Sequence, residues 1–286
     1  RANIWQDYIR YNYLPFNLIR NLTAEELIKI KKATLRLGNK RSDNWKIPYK
    51  LKVTKEFVEL LGIFGAEGSI VKNDQISNRV VFSFGAAEKD LIQYACFLIK
   101  KVLGLDIKPH YVHETARTVA IDSYLTALIF KEILKTGENS SNKKVPDLVF
   151  NLGQKLRERY LIGYLAGDGY PTKVWIPHLI KNTAPSSSEK RKFNATAKSR
   201  DFISNIAYLL SSLNKTYSYG ERKTKKGKRF IEITYRGIKK RREIKSQELS
   251  YALDFYWNTN SSYLNYLPFG SDRYHEAMKD IRKKIE

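Results

Sequence analysis

The chain has 286 residues and a formal net charge of +23, from 52 lysines and arginines against 29 acidic residues. A basic field of that size attracts phosphate backbones and points to a polyanionic partner, while 42% apolar residues suffice for a real core. No apolar run reaches the ~20 residues of a spanning helix and no signal peptide is visible. The single cysteine, Cys96, excludes internal disulfides and cysteine metal sites, so the expected setting is intracellular, in the cytoplasm or nucleoid, with no membrane partner.

In chain order, residues 1–50 form a basic extension. Within it "TAEELIKIKKATLRL" is predicted as a basic amphipathic helix, opened by a capping box of Thr23 and Glu26. The stretch "NYLPF" at Asn12–Phe16 recurs at Asn265–Phe269. Next comes "LLGIFGAEGSI", Leu60–Ile70, an apolar helix that carries three glycines and a lone carboxylate, Glu67. Helical glycine costs ~1 kcal/mol relative to alanine, and a carboxylate beside apolar groups is costly too. Two strands follow, "SIVKND" and "NRVVFSF", then the long helix within the stretch Phe82–Val102. Two more strands, "DIKPHYVH" with "RTVAID", and a helix over Ser123–Lys135 complete the first unit.

The pattern then repeats. "LIGYLAGDGY", Leu161–Tyr170, matches the first glycine-rich stretch at a spacing of 101 positions: Leu60 with Leu161, Gly62 with Gly163, Glu67 with Asp168, Gly68 with Gly169. "FNATAKSRDFISNIAYLLSSL", from Phe193, matches the region from Phe82 at a spacing of 111, and the extra residues fall in the loop around "NTAPSSSEK". The second unit reads as "YPTKVWI", "KRKFNATA", the helix, then "TYSYGERK" and "RFIEITYR" joined by a hairpin turn at "KKGK". Two copies of one unit imply duplication. The expected fold is α+β: two pseudo-symmetric αββαββα units, residues 51–150 and 151–286, each with an antiparallel sheet. The second is expected to end in a helical segment.

Duplication accounts for the glycines. Gly62 and Ala66 are four apart, as are Gly163 and Gly167, so each pair shares a helix face. Facing small residues let two helices approach closely. Gly68 and Gly169 are expected as left-handed glycines ending the helices. Glu67 and Asp168 then meet at the foot of the pair. Adjacent carboxylates repel unless a cation lies between them, and oxygen ligands select a hard one such as Mg²⁺, with Mn²⁺ as a substitute.

"LLGIFGAEG" and "LIGYLAGDG" resemble the two signature helices of the LAGLIDADG homing endonucleases, over roughly residues 46–237. The resemblance implies a single-chain monomer whose helices cross at a pseudo-twofold axis, with the two sheets forming a saddle on double-stranded DNA. It implies that Glu67 and Asp168 bind metal at scissile phosphates of opposite strands, with metal contacts from the Ala66 and Gly167 carbonyls. The implied activity is site-specific, metal-dependent cleavage of both strands of a long asymmetric site. The alternative is a non-cleaving binder on the same scaffold, an RNA maturase or a transcriptional regulator.

"KKVP" also resembles a lysine-containing segment of that family, which makes Lys143, and Lys144 beside it, the catalytic candidates for meeting phosphate charge. The parallel segment Asn260–Gly270 has no lysine there, and Lys239, Lys240 and Lys245 are left as substitutes. Strand position makes Lys72, Arg79, Lys108 and Arg117 DNA-binding candidates in the first unit. In the second they are Lys173, Arg191, Arg222, Lys223 and Lys228. Tyr111, Trp175, Tyr217 and Tyr219 are expected to support the sheet or touch bases. The run "WKIPYKLKVTKEFVELLG" looks like the approach to this helix in intein-borne members. The chain lacks a first-residue Cys or Ser and a terminal His-Asn, so splicing by this chain itself is not expected.

Overall fold

The computed structural model describes residues 18, 21–32, 36–37, 45–73, 76–86, 88–113, 115–168, 170–172, 190–223, 228–235, 238–245 and 249–258. The first "NYLPF", Gly169, Lys173, Trp175, the loop at 182–189, the tip of the "KKGK" turn and the C-terminal segment from 259 lie outside the described residues.

Helix α1 (Ala24–Lys32) begins with the expected capping box. Thr23 N donates to Glu26 Oε2 at 2.8 Å, and Glu26 N donates back to Thr23 Oγ1 at 3.3 Å. The helix is shorter than expected. Arg36–Leu37 instead form strand β1, antiparallel to β2 (Ile47–Pro48). The pairing ties Leu37 to the fully buried Ile47, and that tertiary contact overrides local helix propensity.

The first unit then runs α2 (Lys55–Glu67), β3 (Gly68–Asn73), β4 (Ile76–Gly85), α3 (Lys89–Leu103), β5 (His110–His113), β6 (Ala116–Ile121) and α4 (Tyr124–Leu128), whose helix continues as a π turn over Ile129–Ile133. After a short helix α5 (Asp147–Phe150), the second unit runs α6 (Gln154–Asp168), β7 (Tyr170–Thr172), β8 (Lys190–Ala197), α7 (Arg200–Ser212) and β9 (Tyr217–Lys223). Strands β10 (Lys228–Tyr235), β11 (Ile238–Lys245) and β12 (Leu249–Asn258) follow.

The two four-stranded sheets have the same order, β3-β4-β6-β5 and β7-β8-β12-β9, and every pairing is antiparallel. This corrects one expectation. "TYSYGERK" does not pair with "RFIEITYR"; β9 pairs with β12, while β10 pairs with β11 in a separate two-stranded sheet. The reason is burial. In β12, Leu253 and Phe255 are fully buried opposite Ala195 and Phe193 of β8, completing the layer under α7 as Val119 does opposite Phe82 under α3.

Each sheet packs one face on its long helix. Val80, Phe82 and Phe84 alternate inward from β4 towards Leu91, Ala95, Leu98 and Ile99 of α3. The matching positions of α7, Phe202, Ile206, Leu209 and Leu210, are buried as well. Cys96 is half-buried against the same core. Helices α2 and α6 pack on each other between these layers, so the start of each unit meets the start of the other.

Candidate functional site

The α2–α6 seam is a backbone contact. A Cβ placed on Gly62 would collide with the Tyr160 carbonyl and stand 2.7 Å from Tyr164 N, and one on Gly163 would strike the Glu59 carbonyl. A Cβ on Gly167 would lie 2.6 Å from the Ala66 Cβ and 3.0 Å from Glu67 Oε1. Distances under 3 Å are well inside van der Waals contact, so only glycine permits this approach.

Each helix ends on its acid: α2 stops at Glu67 and α6 at Asp168. Because the Glu67 carboxylate lies over Gly167, the two acidic ends converge at one foot of the seam. Gly68 differs from expectation. Its φ is −81°, an extended conformation rather than a left-handed one. The chain runs straight from α2 into β3, and what requires glycine there is the Phe64 ring, which a Cβ would strike.

Lys143 reaches this foot from the linker between the units. Its Nζ donates to the Gly65 carbonyl at 2.8 Å and to the Ala66 carbonyl at 2.7 Å, and the residue is 9% exposed. Burial lowers its pKa, while Asp168 and then Glu67 pull it back up. The linker is pinned from the other unit. Ser199, the N-cap of α7, donates its hydroxyl to the Lys143 carbonyl at 2.9 Å, and Asn205 accepts from Val145 N. Lys144 points elsewhere: it is exposed, with Nζ 3.8 Å from Asp201 Oδ2.

Asp168 is open to solvent as a residue, yet the protein packed around its carboxyl pushes its pKa up to about 6; Lys143 opposes the rise and Glu88 adds to it. Water at the open side screens part of that shift. Two tyrosines of α6, Tyr160 and Tyr164, are fully buried beside the foot, and among the described residues their hydroxyls have no hydrogen-bond partner. Burial raises both phenols well above the usual range.

At the opposite end of the seam lies a feature that motif reading missed. Glu59 is buried, accepts a hydrogen bond from the Tyr94 hydroxyl, and pairs with Arg159 of α6 at 3.0 Å. Its only sequence mark is a lone acid inside the apolar run "FVELLGIF". The desolvation cost of such an acid calls for a partner.

The DNA candidates divide by register. In β4, Arg79 shares the face of Val81, away from Phe82, and lies 3.5 Å from Asp122. Lys72 and Lys108 are exposed, and Arg222 is exposed on the face of β9 opposite Ser250. Arg117 pairs with Phe84, which puts it on the helix-covered side of the register, and its Nη1 donates to the Ala116 carbonyl at 3.0 Å. Arg191, Lys223 and Lys228 lie in β8, β9 and β10. Tyr217 and Tyr219 pair with Phe255 and Leu253, so they flank the core side, and Tyr219 stacks on Tyr251 at 6.4 Å. Tyr111 pairs with Arg117.

The fold is thus a pair of α+β units joined through two helices, with two carboxylates at one end of the joint. No family model matches the chain. It is 30% identical over 179 residues to the uncharacterized protein MJ1054 of Methanocaldococcus jannaschii, covering 58% of this chain and 20% of that protein. It is 28% identical over 181 residues to the DNA polymerase II large subunit of Thermococcus kodakarensis, covering 63% and 10%. It is 26% identical over 151 residues to the replication factor C small subunit of Methanocaldococcus jannaschii, covering 46% and 8%. The chain therefore spans a fifth or less of these relatives' lengths.

Among solved structures, it is similar to the homing endonuclease I-WcaI bound to its DNA recognition sequence, at 12% identity and a TM-score of 0.40, covering 77% of this chain and 82% of that one. The LAGLIDADG homing endonuclease I-SmaMI bound to cleaved DNA matches at 15% identity and a TM-score of 0.38, covering 80% and 87%. The LAGLIDADG homing endonuclease I-LtrWI bound to target DNA matches at 13% and 0.39, covering 82% and 92%. No helix among the described residues is long and apolar enough to cross a membrane.

Proposed function

We propose that this chain is a DNA endonuclease of the LAGLIDADG type, acting on both strands of a duplex in a divalent-metal-dependent reaction. The observation that carries this reading is the convergence of Glu67 and Asp168 at the foot of a glycine seam, between two units with sheets of the same strand order. Residues 51–150 and 151–286 are taken as its two halves, and residues 1–50 as an added extension. The small share of each longer relative that the chain spans fits an intein-borne member.

A hard divalent cation such as Mg²⁺ suits the donors present. Two carboxylates converge there, and the ends of α2 and α6 add carbonyl oxygens. Among the described residues no cluster of three or more His, Cys, Asp or Glu offers a fuller cage. Water and phosphate oxygens would complete the shell, which is usual for Mg²⁺. Glu67 and Asp168, with the Ala66 and Gly167 carbonyls, would hold it. There the ion would lower the pKa of bound water and stabilise the leaving oxygen.

The chain itself supplies the rest. The glycine seam holds the two acid-bearing helices in close contact. Lys143 brings positive charge to the same foot, where phosphate charge develops during hydrolysis. Arg79 and Arg222, on the sheet faces turned away from Phe82 and Leu253, are suited to meet the duplex.

Incubating the protein with a randomised duplex library and Mg²⁺, then sequencing cut ends, tests the reading and gives the target. With that target, Glu67→Gln or Asp168→Asn should abolish double-strand cleavage, as should a chelator. Binding in a mobility shift should survive, because phosphate and base contacts carry it. Full cleavage by either variant would refute the assignment.

A further inference from the structure

We propose that Lys143 is the resident cation of the acidic foot: its ammonium holds the last carbonyls of α2 in the metal-free protein, and a divalent ion binds there only by displacing it. This rests on the metal-site reading above for the ion, but not for the clamp.

The final carbonyls of a helix have no intrahelical donors. In α2, Phe64 O accepts from Gly68 N, because the chain passes directly into β3. Gly65 O and Ala66 O would then be left at a buried helix end. Lys143 Nζ takes both, at 2.8 and 2.7 Å. The helix dipole places negative potential at this end, and Glu67 and Asp168 add two carboxylates beside it. One buried ammonium answers all three demands.

Its delivery is also built. The Lys143 carbonyl accepts from Ser199 Oγ, and the next turn of linker is tied to Asn205, so the backbone of Lys143 is held by α7 while its side chain holds α2. The lysine therefore clasps the second unit to the first. Ala66 O, a carbonyl suited to contact a metal, is already engaged by this amine. Ammonium and divalent ion repel at such short range, so both cannot sit on that oxygen at full strength.

DNA-free protein decides the matter. Lys143→Met should lower the melting temperature in EDTA by about 4 °C or more, and Ca²⁺ or Mn²⁺ should restore much of the loss. The same variant should bind Mn²⁺ about tenfold or more tightly than the parent, read by the loss of free-ion paramagnetic resonance signal. Lys143→Arg, which keeps the charge, should bind Mn²⁺ as weakly as the parent. Unchanged melting and unchanged Mn²⁺ affinity in Lys143→Met would overturn the proposal.

A measurement on the parent protein guards against a variant that fails to fold. Amine-reactive labelling read by mass spectrometry should find Lys143 among the slowest lysines in EDTA and faster at saturating Ca²⁺. Labelling that is unchanged or slower with Ca²⁺ refutes displacement. Failure of the nuclease reading would show differently, as absent DNA cleavage with the clamp intact.

Discussion

Asp168 carries opposed demands. Burial raises its pKa to about 6, whereas an unfolded aspartate titrates near 3.9. Between those values the native state binds more protons than the unfolded one, so stability falls as pH rises through that window. Above about pH 6 the cost of the ionised carboxylate is fully present. In EDTA at pH 7, Asp168→Asn should therefore melt above the parent protein, and at pH 4 the two should melt alike. Thermal melts at both values check this, and a parent more stable than the variant at pH 7 would show that Lys143 outweighs burial. With saturating Mg²⁺ the order at pH 7 should reverse. Both acids were legible as a repeated carboxylate at the end of a repeated helix. The Lys143 bonds were not, because their acceptors are backbone carbonyls, which leave no mark on residue type.

The seam and the inserted hairpin set the behaviour of elements. Even one methyl group on Gly163 meets the Glu59 carbonyl, so Gly163→Ala forces α2 and α6 apart. It should cost ~2 kcal/mol or more, within the range of overpacked cores. Gly153→Ala is the control, since nothing lies within 4 Å of a Cβ there, and it should stay within ~0.5 kcal/mol. Urea unfolding of both variants separates them. The hairpin β10–β11 departs from the duplication: it interrupts the second sheet where the first has only a turn between β5 and β6. Local signals mislead here, because β10 has good alternation and a turn before it. What selects β12 is burial of Leu253 and Phe255 against β8, a tertiary fact. Arg222–Lys245 holds twelve lysines and arginines against two glutamates, so this stretch should add phosphate contacts. Replacing Lys239, Lys240, Arg241 and Arg242 by serine should lower the slope of log K against log salt by about 2 or more. An unchanged slope for duplex binding would exclude the hairpin from the interface.

At the scale of the molecule, the seam is complete within one chain, so light scattering should report a monomer at assay concentrations. Its two halves are nevertheless unequal. Lys143 serves the foot from the linker between the units, its Nζ hydrogen-bonded to the Gly65 and Ala66 carbonyls of α2. The corresponding stretch after the second unit, Asn260–Gly270, contains no lysine. If the ammonium released by metal then faces one scissile phosphate, its loss falls on one strand. Under saturating Mg²⁺ and protein, Lys143→Met should slow one strand by ~10²-fold, the scale of removing a preorganised donor. The other strand should be cut at close to its normal rate, so nicked plasmid should accumulate before linear product. A purely binding or structural role predicts something else: both strands slow together, and more protein or more metal rescues them. Following supercoiled, nicked and linear plasmid over time separates these outcomes, and equal slowing with rescue would place Lys143 outside the chemistry.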